Sequence, residues 1–293
     1  MIVDFLIGLA LFLIMFTIGL SIDSIDFKRI FKKPKKVFVG LGAQLIFLPL
    51  SAFLLLQLFD LPSAIEIGIL ILAICPGGTT SNFISYLVKL DVPLSIALTT
   101  IGSLVTLLTI PILTNIFLVH YFGNAQSISL PFLKTIFNLL ILILLPVFMG
   151  MFLRDKKEKV SLKLEKIMRY IGVILLGCVF LMKFLASETS GGSGITFEAG
   201  FAILPALLLL HFTSLFGGYF IAKGFNITTR SSGTIGIEVG LQNSALALFI
   251  TGSLLKNSLM THPILVYVLF SFFTTALFGF SIKAIIAKRN KGK

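Results

Sequence analysis

One carboxylate in this chain of 293 residues stands inside an apolar run. Glu238 lies in Gly236-Ile237-Glu238-Val239-Gly240-Leu241-Gln242-Asn243-Ser244, which mixes glycines with polar side chains. All other acidic residues fall at the ends of apolar runs or between them. An ionisable side chain at membrane depth costs about 2.5–3.5 kcal/mol on insertion scales, so it needs a partner. No Lys or Arg lies within a run near its depth, which leaves a bound cation or a proton on Glu238 itself. Hard cations take oxygen ligands, and these are close in type. Gln44 sits mid-run in Gly40-Leu41-Gly42-Ala43-Gln44, and Ser95 and Thr99, spaced i, i+4, put two hydroxyls on one helix face. Unwound carbonyls beside Glu238, Val239 and Leu241 would add to the set. Taken alone, Ser95 and Thr99 would more often bond back to their own helix. The only cysteines, Cys75 and Cys178, show no CxxC spacing and no Cys/His cluster, so there is no disulfide framework or transition-metal signature.

A second interrupted stretch reads Ile74-Cys75-Pro76-Gly77-Gly78-Thr79-Thr80-Ser81-Asn82. Proline removes a backbone donor and glycine lowers the cost of unwinding, so a helix opens here. Irregular backbone at membrane depth survives only where protein buries it or a cavity adjoins it. Each break alone could be a simple kink. A matched pair is the best sequence pointer to the binding site of a secondary transporter. The two interrupted runs are the third and the eighth; they have opposite directions, as an inverted repeat requires.

The surrounding composition says what must position them. Hydrophobic residues make up 57% of the chain and charged residues 12%; the mean hydropathy is +1.06. That leaves too little polar surface for a water-soluble fold, and it excludes disorder. Nine runs are long enough to span a bilayer, roughly 3–22, 36–58, 64–88, 93–120, 131–153, 168–186, 199–221, 231–255 and 263–286. The expected fold is therefore an all-α polytopic membrane protein with no soluble domain appended and no cleavable signal. The net charge of +12 would suit a nucleic-acid binder, but the basic residues cluster between the runs, which is the membrane pattern. Loops 23–35 and 154–169 and the tail are rich in Lys and Arg, with Lys89, Lys223 and Arg230 in weaker loops on the same side. The opposite loops hold only Lys256. The N-terminus is thus expected outside and the C-terminus in the cytoplasm, in a multi-pass protein of the cell membrane.

With these motifs in place, the chain resembles the bile acid:sodium symporter family over nearly its whole length. The resemblance rests on Cys75 through Asn82, on Ile237 through Ser244, on Gly40 through Pro49, and on Ile18-Gly19-Leu20 leading into Phe27-Lys28-Arg29. It implies a single transporter unit, 1–293, made of a core and a panel domain, with the two broken helices crossing near the midplane. Core helices are expected over 36–120 and 168–255, and panel helices over 1–22, 131–153 and 263–286. It also implies one sodium site at Ser81, Asn82, Ser95, Thr99 and Glu238, and a second at Gln44, Glu238, Val239, Leu241 and Gln242. An organic anion is expected beside Thr79 and Asn243, where opened helix N-termini would face its carboxylate. The chain departs from the family in two respects. It has nine runs where some bacterial members have ten, and Phe270-Ser271-Phe272-Phe273-Thr274-Thr275 stands where bile-acid-binding members can carry a His-Asn pair. A smaller carboxylate such as pantoate or a 2-oxo acid is therefore favoured over a bile acid.

The leading functional reading is sodium-coupled symport of that anion, with sodium as coupling ion, no cofactor, membrane lipid as surroundings, no nucleic acid and no inferable protein partner. The alternative is a proton-coupled or exporting carrier on the same scaffold, with Glu238 titrating. An enzyme is disfavoured because no nucleophile–base pair lies in the runs. His120 and His211 read as helix contacts, His262 as interfacial, Lys134 and Lys183 as snorkelling residues, and 187–196 as a flexible linker.

Overall fold

The computed structural model describes residues 2–22, 34–123, 132–186 and 191–291, whose secondary structure is helical apart from one isolated β-bridge. Lys28, Arg29, Lys32 and Lys33 of the first basic cluster lie outside the described residues, as do positions 187–190 of the linker. The helices are α1 (Ile2–Ser21), α2 (Pro34–Leu56), α3 (Ser63–Ile74), α4 (Thr79–Leu87), α5 (Val92–Phe122) and α6 (132–156), then α7 (Glu158–Leu185), α8 (Phe197–Gly224), α9 (Thr229–Gly240), α10 (Ser244–Leu254) and α11 (Ser258–Lys291). Seven of them are long and apolar enough to cross a membrane, and α3 and α10 are shorter apolar helices. Their outer faces carry Phe38, Phe137, Phe152, Phe197, Phe201 and Phe273, each more than half exposed, as a surface solvated by lipid tails allows.

Two helices widen locally ahead of a proline. A π-helical turn covers Ala43–Phe47 before Pro49, and another covers Leu140–Leu144 before Pro146. The proline ring would clash with the carbonyl four residues earlier, at Leu45 or Leu142, and the wider turn removes the clash. The first of these turns carries Gln44 into the interior.

Close backbone contacts fix the packing. Helix α1 lies against α6 and α7. A Cβ placed on Gly150 would come 2.7 Å from the Leu20 nitrogen and 2.8 Å from the Gly19 carbonyl carbon, so only glycine permits this crossing. Helix α8 packs along α9, and α11 packs on α3, α8 and α9.

Three expectations are corrected here. The stretch 154–169 is not a loop: α6 runs to Lys156, and α7 starts at Glu158. Lys, Glu and Leu are strong helix formers, Glu165 and Arg169 pair along the surface of α7, and Arg154–Glu158 bridges the break at Lys157, so helix resumes where hydropathy ends. His262 is buried rather than interfacial, its Nε2 2.8 Å from the Ser193 carbonyl. Lys183 is likewise buried: its Nζ lies 4.0 Å from where a Cβ on Gly252 would stand, and the Ser193 amide donates to its carbonyl at 2.8 Å.

Candidate functional site

The two interrupted stretches meet. Pro76 ends the helical path of α3, and Cys75 through Gly78 run extended before α4 begins at Thr79. Leu241 through Asn243 do the same between α9 and α10. The extended segments pair in antiparallel fashion at Gly77 and Gln242, and the Asn243 amide donates to the Pro76 carbonyl at 2.8 Å. Each break thus satisfies backbone groups that the other has freed. Asn243 also caps α10, its Oδ1 accepting from the Leu246 amide at 3.0 Å.

Glu238, on the last turn of α9, is fully buried directly behind this junction. Ser81 Oγ lies 2.7 Å from its Oε2 and Ser95 Oγ 3.0 Å from the same atom, while Thr99 Oγ1 bonds Oε1. Thr99 Oγ1 is also 3.2 Å from Asn82 Oδ1. The structure therefore brings together all five residues of the first expected cluster, drawn from α4, α5 and α9. Its donor set is oxygen alone and includes one carboxylate, which is the chemistry a hard cation selects. Gly77 is what lets the carboxylate approach: a Cβ there would collide with the Glu238 carboxyl group.

The second expected cluster is only partly assembled. Gln242 Nε2 donates to the Val239 carbonyl, and Leu241 lies in the break one residue away. Gln44 reaches the junction from the other side, near Pro76 and Gly102. Both polar atoms of its buried amide, Gln242 Oε1 and Asn243 Nδ2 have no hydrogen-bond partner among the described residues. Buried amides left without partners cost about 1–3 kcal/mol each, so the cluster fits a ligand better than it fits closed packing.

Thr79 and Asn243 line one cavity of about 230 Å³ at the junction, with Val173, Leu176 and Phe180 of α7 and Phe272 of α11 as its apolar wall. Thr79 also borders a second cavity of about 330 Å³, which opens between α1, α4 and α7.

Tyr267 escaped the sequence reading. Its buried hydroxyl bonds the Gly240 carbonyl and receives the Gln242 amide at 3.3 Å, so it braces the second break from α11. One aromatic in an aromatic-rich helix leaves no periodic signal. His211 packs its ring on Tyr267 and Phe270 and meets Thr274 Oγ1 at 2.7 Å, and His120 packs on Phe53 and Tyr121.

A membrane-spanning helical bundle with two interrupted helices joined around a buried carboxylate defines a secondary transporter. The chain belongs to the Sodium Bile acid symporter family, which it matches over residues 8–190. It is 30% identical to the uncharacterized sodium-dependent transporter YocS of Bacillus subtilis, across 80% of this chain and 70% of that protein. It is 29% identical to a probable chloroplastic sodium/metabolite cotransporter of Arabidopsis thaliana, across 85% of this chain and 59% of the relative. The human ileal sodium/bile acid cotransporter is also 29% identical, across 92% of this chain and 76% of its own length.

Proposed function

We propose that this protein is a sodium-coupled symporter of a small organic carboxylate, working by alternating access in the cell membrane. The observation that carries the reading is the all-oxygen cage around Glu238 at the contact between the two breaks. One sodium ion would take Ser81, Asn82, Ser95, Thr99 and Glu238; a second would take Gln44, Glu238, Val239, Leu241 and Gln242. The Gln44 amide and Gln242 Oε1, which have no hydrogen-bond partner among the described residues, support the second set. This reading takes nine crossings among the described residues, seven continuous and two broken, with the N-terminus outside and the breaks in α3–α4 and α9–α10 as halves of an inverted repeat; the seven long apolar helices support it.

Sodium at these sites would hold the broken segments in the arrangement that presents Thr79 and Asn243 to the anion. By linkage the anion then raises sodium affinity by the same factor. Two sodium ions with one monoanion carry one net charge inward, which is worth about 2.3 kcal/mol per 100 mV. The small cavity and its short apolar wall suit pantoate or a 2-oxo acid rather than a bulky amphiphile. For the moving parts we group α1, α6 and α7 as the panel, since α1 packs on both partners, and place α11 with the core because it packs on α3, α8 and α9. This exchanges the sixth and ninth runs relative to the assignment expected from resemblance.

Proteoliposomes with an inward sodium gradient should accumulate radiolabelled pantoate or 2-oxoisovalerate, and potassium replacement should stop the uptake. Uptake that ignores sodium and follows an inward proton gradient would transfer the coupling role of Glu238 from sodium to the proton.

A further inference from the structure

Resting on the symporter reading, we infer that Arg169 binds the carboxylate of the substrate at the mouth of the larger cavity, and that Glu165 holds its guanidinium when no substrate is there. The α7 residues lining the two cavities, which share Thr79, are Glu165, Arg169, Val173, Leu176, Gly177 and Phe180. Their spacing of three and four places them on one helix face. That face is apolar beside the junction and charged at the mouth. Arg169 is the one cationic side chain among the described residues lining either cavity.

Glu165 and Arg169 form an ion pair, with 14% and 46% of their side chains exposed. The guanidinium therefore reaches cavity water, while the carboxylate is tucked beneath it. A single pair four residues apart on one helix contributes little, and its guanidinium is nearly half exposed, so an arriving carboxylate can compete with Glu165 for it. Guanidinium takes a carboxylate through two parallel N–H···O bonds, which a lysine cannot reproduce. Thr79 belongs to both cavities, and Asn82, which bonds Thr99 of the Glu238 cage, lines the larger one. An anion leaving the junction thus passes from Thr79 and Asn82 to Arg169 as the sodium cage loosens. In the orientation read from charge, this mouth faces the cytoplasm and Arg169 acts on release.

The test is equilibrium binding to the full chain, purified in detergent with saturating sodium chloride. The probes are pantoate, 2-oxoisovalerate and the neutral pantolactone. Arg169→Gln should weaken both carboxylates by about tenfold, the loss of one charge-assisted contact. Arg169→Lys should fall between Arg169→Gln and wild type, and Glu165→Gln should tighten binding by about threefold by removing the competitor. Pantolactone binding should not respond to any of these changes. A pair that merely staples the helix would make Arg169→Gln and Glu165→Gln change affinity in the same direction, which overturns the inference. Wild-type protein that is stabilised by sodium yet binds neither carboxylate also overturns it, while leaving the sodium sites standing. Absence of any sodium response removes the symporter reading itself, and this inference with it.

Discussion

Gly77 and Gly78 are adjacent in the sequence, yet the structure predicts opposite outcomes for the same added methyl group. Neither has positive φ, so alanine is free of backbone strain at both. At Gly78 the nearest atoms to a new Cβ are Asn243 Cα and Thr80 Oγ1, both at 3.6 Å, which is ordinary contact. At Gly77 the Cβ would sit 2.6 Å from Glu238 Cδ and 3.2 Å from Cγ. The carboxyl group must retreat by about 1 Å to reach van der Waals separation. Three hydroxyls, from Ser81, Ser95 and Thr99, are fixed on that group, and a shift of this size breaks at least one contact. A hydrogen bond to a charged group is worth about 1.5–3 kcal/mol, so sodium affinity should fall by about tenfold to a hundredfold. The assay is thermal unfolding of purified protein across a sodium series at constant ionic strength, since bound sodium stabilises by RT ln(1 + [L]/Kd). Gly78→Ala should keep the wild-type sodium dependence, and Gly77→Ala should need about ten times more sodium or show no response. A Gly77→Ala protein with wild-type sodium dependence, or a Gly78→Ala protein equally impaired, would refute the reasoning.

Three further outcomes follow from the contacts. Tyr267→Phe removes a hydroxyl that serves two backbone groups of the second break, so it should lower stability by about 1–3 kcal/mol and weaken sodium stabilisation; an unchanged unfolding midpoint and sodium series would show that the brace is idle. Gly150→Val forces α1 and α6 apart and should cost about 1–3 kcal/mol or more, read as a lower midpoint without altered sodium affinity. Asp91 is half-sheltered, and burial alone would raise its pKa. Hydrogen bonds from Ser231 (2.7 Å) and Lys36 (3.1 Å) outweigh that and hold it below the ordinary aspartate range. A depressed carboxylate contributes stability above the ordinary range and loses it as pH falls through its lowered value. Asp91→Asn should therefore flatten the acid limb of the stability curve by up to about 1 kcal/mol, and an identical limb in both proteins would contradict this.

How much of this was legible in the sequence depends on whether the physics was local. The helices follow from long apolar runs, and the two breaks from Pro76-Gly77-Gly78 and the glycines around Glu238, because backbone cost is set by neighbours in the chain. Glu238 stood out because a carboxylate in an apolar run has no bland explanation. The role of Gly77 was invisible, since it depends on a carboxylate 161 positions later (238 − 77). Tyr267 and Arg169 were hidden for related reasons. Tyr267 meets the break only through the packing of α11, and Arg169 sat in a stretch read as loop because charge there marks the membrane boundary, not the helix end. His262 and Lys183 looked interfacial because their burial comes from tertiary contacts without a local signature, Ser193 on the His262 ring and Gly252 beside the Lys183 ammonium.

The central claim is that Glu238 holds the coupling cation. Equilibrium binding of radiosodium to purified wild type and Glu238→Gln tests it most directly, because it requires no knowledge of the anion. Saturable sodium binding in the wild type, not displaced by potassium and lost in Glu238→Gln, is the predicted result. Equal sodium binding by both proteins would contradict the account.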